Sequence, residues 1–180
     1  MARQLSLPRI GLDTQCFSYL LDAIGGIDEP IDPLADERKA LIRCWFYLPE
    51  TFYLPTTVVA ECQAIRNEGR KELHESFIRT LFLDLSIQNH AAVEARVSEL
   101  LGAHPSEKDR RVLAEAEDLN LAVLLTYDHD FLSHLSSVPK TVRISKPSTY
   151  WASVGVPRGA KPRMVPHPTN PLSQQSWWRW

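Results

Sequence analysis

The chain has 180 residues, 44% of them hydrophobic and 23% charged, which supplies one packed domain and excludes a largely disordered chain. Its longest apolar runs, CWFYL at 44–48 and LAVLL at 121–125, fall far short of the roughly 20 residues that cross a bilayer. The N-terminal MARQLSLPRI also lacks the apolar stretch of a secretory signal, so the expectation is a cytoplasmic protein with no membrane partner.

The net charge of −2 hides a division: positions 1–138 hold all 22 acidic residues against 13 Lys and Arg, and positions 139–180 hold seven basic residues and no acid. That last stretch also carries seven of the 13 prolines and four of the five tryptophans. The composition predicts a body over 1–145 and an extended or docked C-terminal extension over 146–180, not another helical layer. Three widely spaced cysteines without a CxxC pair support neither a disulfide framework nor a cysteine-rich zinc site.

In chain order, RIGLD (9–13) reads as a strand ending in a carboxylate, and TQCFSYLLDAI (14–24) as a helix with Phe17, Leu20, Leu21 and Ile24 on one face. Gly25, Gly26, Pro30 and Pro33 mark a loop before a helix at ADERKALIRCWFY (35–47). FYLP (52–55) is the next strand, and Thr56 or Thr57 caps a helix through 65. A helix over 69–82, a weaker strand at 82–86, an amphipathic helix over 88–101 and a break at 104–106 follow. A helix over 107–120 leads to the clearest strand, AVLLTYD (122–128), then to a short helix through Phe131 and Leu135 and a last strand at 141–145. Strands alternating with helices predict an α/β fold with a central, mostly parallel sheet covered on both faces.

No GxGxxG, phosphate-loop or GxSxG motif is present. HE at 74–75 is followed by Ile78, which breaks the HExxH zinc pattern, and His129 and His134 do not share a helical face. The chemistry therefore rests with carboxylates. In parallel sheets reactive groups gather at the carboxyl ends of strands. Asp13 and Asp128 sit at two such ends, with Asp130 two residues on. Glu61 shares a helical face with Thr57 and Ile65, and Asp109 aligns with Val112, Leu113 and Ala116. Taken singly, each acid reads equally as a cap or a solvated residue. Together they would repel unless a cation joins them, and oxygen-only ligands select Mg²⁺ or Mn²⁺. Glu115, Glu117 and Asp118 read as a solvated face of the Asp109 helix.

In order and spacing, RIGLD–TQCFSYLL, LPTTVVAE and KDRRVLAEAEDLNLAVLLTYDHDF resemble the motifs of PIN-domain nucleases, most closely the VapC-like toxin ribonucleases. The resemblance covers about residues 9–145. It implies a PIN-like parallel sheet and Mg²⁺- or Mn²⁺-dependent cleavage of single-stranded RNA. Asp13, Glu61, Asp109 and Asp128 would be the catalytic and metal-binding acids, Asp130 an accessory acid, and Thr126 a polar residue beside the substrate. It also makes an antitoxin-like protein and a second copy of the chain candidate partners. The long 25–50 region and the extension have no counterpart in the minimal toxins. In the extension, Lys146, Arg158, Lys161 and Arg163 are candidate RNA contacts, while the tryptophans are read as docking on the body or on a second copy. Two other readings compete: a non-catalytic PIN-like binding module, and an Asp13-dependent phosphatase, which Gln15 disfavours because it breaks the DxD that such enzymes carry.

Overall fold

The computed structural model describes residues 8–26, 28–82 and 86–180. Four short strands, β1 (Arg9–Leu12), β2 (Thr51–Tyr53), β3 (Val123–Leu125) and β4 (Arg143–Ser145), form one all-parallel sheet in the order β2-β1-β3-β4. The register sets Ile10 beside Phe52 and Val123, and Leu124 beside Ile144. Val123, Leu124 and Leu125 are all buried, as expected for an interior strand covered on both faces. At Gly11 a Cβ would come within 2.6 Å of the Leu121 side chain, which would have to shift, so glycine eases the close approach of β1 to the segment before β3.

Among the described residues, eight α-helices flank the sheet: α1 (Thr14–Ile24), α2 (Ala35–Tyr47), α3 (Thr56–Gln63), α4 (Glu68–Leu81), α5 (His90–Glu99), α6 (Glu107–Asp118), α7 (His129–Leu135) and α8 (Pro147–Val154). The predicted bounds of α1 and α2 agree with those observed, and α4 is shifted by one residue. The other predicted elements overrun at their ends for local reasons. The expected helix to 120 stops at Asp118 because Asn120 adopts a left-handed backbone, φ 53°, that turns the chain into β3. The expected strand to 128 stops at Leu125, beyond which Thr126 and Asp128 form a hydrogen-bonded turn. Most of the predicted strand at 82–86 lies outside the described residues.

The C-terminal extension corrects one expectation, because it begins with a helix. Pro147 at the first turn and the left-handed Gly155, φ 65°, bracket α8, the usual proline-in, glycine-out signature. α8 packs on α2, and its Ser148 hydroxyl and N–H donate to the Glu37 carboxylate at 2.7 and 2.9 Å. The segment beyond is also docked. The N–H groups of Arg163 and Met164 donate to the Phe46 carbonyl, the Asn170 amide donates to the Ile24 carbonyl, and Trp178 is 1% exposed against Phe46. α2 ends at Tyr47, just ahead of β2, so these contacts lie at the amino-terminal edge of the sheet. Among the described residues, no helix is long and apolar enough to cross a membrane, and the three cysteines are unpaired and buried.

Candidate functional site

At the opposite, carboxyl-terminal edge, Asp13, Glu61, Asp109 and Asp128 line one cleft of about 240 Å³, together with Thr14 and Gln15. Each acid comes from a different element. Asp13 follows β1 and caps α1, its Oδ1 accepting from the Cys16 N–H at 2.6 Å. Asp128 follows the turn after β3 and caps α7, accepting from the N–H groups of Asp130 and Phe131 at 2.8 and 3.0 Å. Glu61 projects from α3, and Asp109 from the first turn of α6, where Ser106 supplies the cap.

Asp13 is the most deeply set, 7% exposed. Burial pushes its carboxyl up to about 6, hydrogen bonding from Thr126 and Cys16 works against that rise, and the Asp128 charge adds to it. The other acids hold partners of their own. Glu61 accepts from the Thr14 hydroxyl and pairs with Lys108 Nζ at 3.1 Å. Asp128 Oδ2 accepts from the Gln15 amide at 3.3 Å, and Asp109 Oδ2 lies 3.4 Å from His104 Nδ1. Among the described residues, no three carboxylate, imidazole or thiol groups stand close enough to form a ready-made metal cage. Thr14, Gln15 and Lys108 instead occupy the polar positions between the acids. The donor chemistry still fits a hard divalent ion. The cleft offers four carboxylates and hydroxyl and amide oxygens, with neither thiol nor imidazole in its lining, and the ionised form of Asp13 is only partly compensated by its hydrogen bonds.

Several residues sit differently from their expected roles. Asp130 does not line the cleft: its side chain is 83% exposed beside His129, and its contribution is a backbone N–H to Asp128. Thr126 is fully enclosed, so it cannot meet substrate. Its hydroxyl accepts from the Asp128 N–H at 3.0 Å and hydrogen-bonds Asp13, positioning both acids. Lys146 follows β4 at the same sheet edge without lining the cleft, whereas the chain carrying Arg158, Lys161 and Arg163 has passed along α8 to the other edge. There the Arg158 guanidinium lies 3.7 Å from the Trp180 ring centroid.

Glu115, Glu117 and Asp118 are not a solvated face. Buried Glu115 accepts from the Thr57 N–H and hydroxyl, both at 2.8 Å, and so caps α3 from α6. Glu117 pairs with buried Arg96 at 2.8 Å, and Asp118 accepts from the Gln88 and Asn89 N–H groups. Thr14, Gln15 and Lys108 went unassigned in the sequence. Only their adjacency to Asp13 and Asp109 could have flagged them. The sequence matches no protein-family model and no curated protein, so the functional reading rests on the residues of the cleft itself.

Proposed function

We propose that the chain is a PIN-like, metal-dependent endoribonuclease that hydrolyses phosphodiester bonds of single-stranded RNA in the Asp13–Glu61–Asp109–Asp128 cleft. One observation carries the reading: four acids spread over 116 positions of sequence line a single cleft at the carboxyl ends of β1 and β3. Asp13, Glu61, Asp109 and Asp128 would hold Mg²⁺ or Mn²⁺, which when bound lowers the pKa of a coordinated water and neutralises phosphate charge. The chain's own residues prepare that site. Helix caps fix the Asp13 and Asp128 carboxylates in place. Thr126 links the two, and Glu115 ties the Glu61 helix to the Asp109 helix. Lys108, 71% exposed at the rim, can meet an incoming phosphate. A cytoplasmic setting suits the substrate.

The test is cleavage of a single-stranded RNA with Mg²⁺ or Mn²⁺, with EDTA, and with Asp128→Asn. Asparagine keeps the α7 cap, so the variant should fold yet lose activity by more than about 100-fold. Turnover in EDTA overturns metal dependence. Hydrolysis of phosphomonoesters in place of RNA points to the phosphatase, and metal binding without any cleavage points to a binding module.

A further inference from the structure

The amino edge of the sheet carries the cations that the cleft lacks. Arg158, Lys161, Arg163 and Arg179 are exposed there, and among the described residues their side chains enter no hydrogen bond or ion pair. They belong to one surface. The Gly159 N–H donates to the Trp180 carbonyl at 3.2 Å, which sets Arg158 beside Arg179, and the Arg163 N–H donates to the Phe46 carbonyl at 2.8 Å. Phe46 packs on Trp178, and the Arg179 guanidinium lies 5.5 Å from the Trp178 ring centroid.

Arg158 is the best fixed of the four. The Trp180 indole beneath its guanidinium is held by a hydrogen bond from Nε1 to the Val156 carbonyl at 2.8 Å and by an edge contact with Trp151. A guanidinium laid on an indole keeps its N–H edge free of the ring, and that edge can meet two phosphate oxygens at once. Arg43 of α2 approaches the same indole at 4.9 Å, and the Arg158 charge adds to burial in lowering the Arg43 pKa. Asp36 opposes that fall, but acts on Arg43 less than Arg158 does. Like charges gathered on one ring favour an anion from outside.

The distribution of charge narrows the choice of anion. Residues 1–138 hold 22 acids against 13 lysines and arginines, and residues 139–180 hold seven basic residues and no acid. A strand entering the cleft meets four carboxylates, so the cleft repels the backbone that flanks the bond it cuts. Attraction for that backbone must come from elsewhere on the chain. α1 runs from the cleft, where Asp13 caps it, to the amino edge, where Asn170 binds the Ile24 carbonyl, a span of about 16 Å for its 11 residues.

We propose that the surface of Arg158, Lys161, Arg163 and Arg179 is a second binding site for the backbone phosphates of single-stranded RNA, gripping a strand whose cleaved segment lies in the cleft at the opposite edge. The assignment rests on the nuclease reading of that cleft. It makes RNA length a determinant of affinity: a strand that only fills the cleft misses the surface, and one that reaches both edges gains it.

The experiment measures equilibrium binding of RNAs of about 5 and about 30 nucleotides against salt, by full-length Asp128→Asn protein in EDTA. The long RNA should bind and the short one hardly at all, because without metal the cleft only repels. Adding Arg158→Gln, Lys161→Gln and Arg163→Gln together should weaken binding of the long RNA about tenfold and flatten its log–log salt slope by about 2, roughly 0.7 for each lost contact, with a nearly unchanged melt. Arg158→Lys with Arg163→Lys keeps every charge and should keep the slope; its loss there overturns a contact made by charge. In Mg²⁺, with Asp128 intact, the triple variant should cut the short RNA as wild type does and show a raised KM for the long one at unchanged kcat. An unchanged slope in the triple variant, equal binding of long and short RNA, or polyglutamate of matched length binding as tightly as the long RNA overturns the proposal. If the slope flattens as expected but wild type cuts no RNA in Mg²⁺, the surface stands and the nuclease reading falls.

Discussion

The two edges of the sheet are built on opposite principles. At the carboxyl edge, four elements deliver like-charged side chains into one cleft, and the best-buried of them, Asp13, carries an ionisation penalty. At the amino edge the C-terminal extension closes over the ends of α1 and α2 with aromatic rings: Trp178 Nε1 donates to the Leu172 carbonyl at 3.0 Å and Trp180 Nε1 to the Val156 carbonyl at 2.8 Å, while Trp177 Nε1 is buried without a partner among the described residues. Like charge is concentrated where chemistry is expected, and aromatic packing at the opposite edge. Neutralising Asp13 and truncating Trp178 should therefore move stability in opposite directions.

The largest expected effect tests the satisfied edge. Trp178→Ala removes a fully buried indole against Phe46 and its hydrogen bond, and should cost about 3–5 kcal/mol in denaturant unfolding. Mg²⁺ affinity of the remaining folded protein, read by calorimetry, should be unchanged. A matched loss of metal affinity would show that the edges are coupled.

Asp13→Asn tests the strained edge and should stabilise the metal-free protein. A carboxyl at 3.8 when unfolded and about 6 when folded binds more protons in the folded state between those values, so wild-type stability falls as pH rises through this window. The penalty is absent below about pH 4 and complete above about pH 6. At about 1.4 kcal/mol per unit it amounts to about 3 kcal/mol, which asparagine avoids while keeping the α1 cap. Melts of the two proteins should nearly coincide at pH 4 and separate by pH 6.5, and Mg²⁺ should raise the wild-type melt while hardly moving the variant. A gap that does not depend on pH would contradict the burial of that charge.

Glu115→Gln is smaller. The carboxylate takes two hydrogen bonds from Thr57, and burial raises its pKa. An amide can keep one acceptor and lose the charge assistance, a cost of about 1 kcal/mol by denaturation. Because this contact spans α6 and α3, Mg²⁺ binding should weaken too, which a purely local cap would not cause.

These contrasts also explain what the sequence could disclose. α1 and α2 were legible because their periodicity and flanking Asp, Gly and Pro residues are local signals, and the four cleft acids because strand ends in a parallel sheet converge. Glu115 was not. Six residues after Asp109, it turns to a side of α6 that periodicity alone reads as solvent, and only the packing of α3 there buries it. α8 was hidden by composition: a proline counted as a sign of extended chain, Pro147, is its first residue, and Gly155 caps its C-terminus. The placement of Arg158, Lys161 and Arg163 follows from where α8 leads, which charge counting does not contain.

The smallest effect concerns Lys108, which among the described residues is the one lysine or arginine paired with a cleft acid. Its Nζ stands 3.1 Å from Glu61 Oε1 while the side chain is 71% exposed, so the pair is worth under about 1 kcal/mol and Lys108→Ala should barely shift the melt. Its consequence for ion binding has a definite sign. An ammonium on Glu61 repels a divalent ion sharing that carboxylate and must be displaced from it, so its removal should tighten Mg²⁺ binding by a few fold. The gain should shrink as salt rises from about 20 to 150 mM, since an exposed charge is screened over about 8 Å at the higher value. In the same variant the KM for RNA should rise, because the rim loses the cation that meets phosphate. Weaker Mg²⁺ binding by Lys108→Ala would instead make Lys108 the group that holds Glu61 in place for the ion, joining it to Thr126 and Glu115 as part of the scaffold of the cleft.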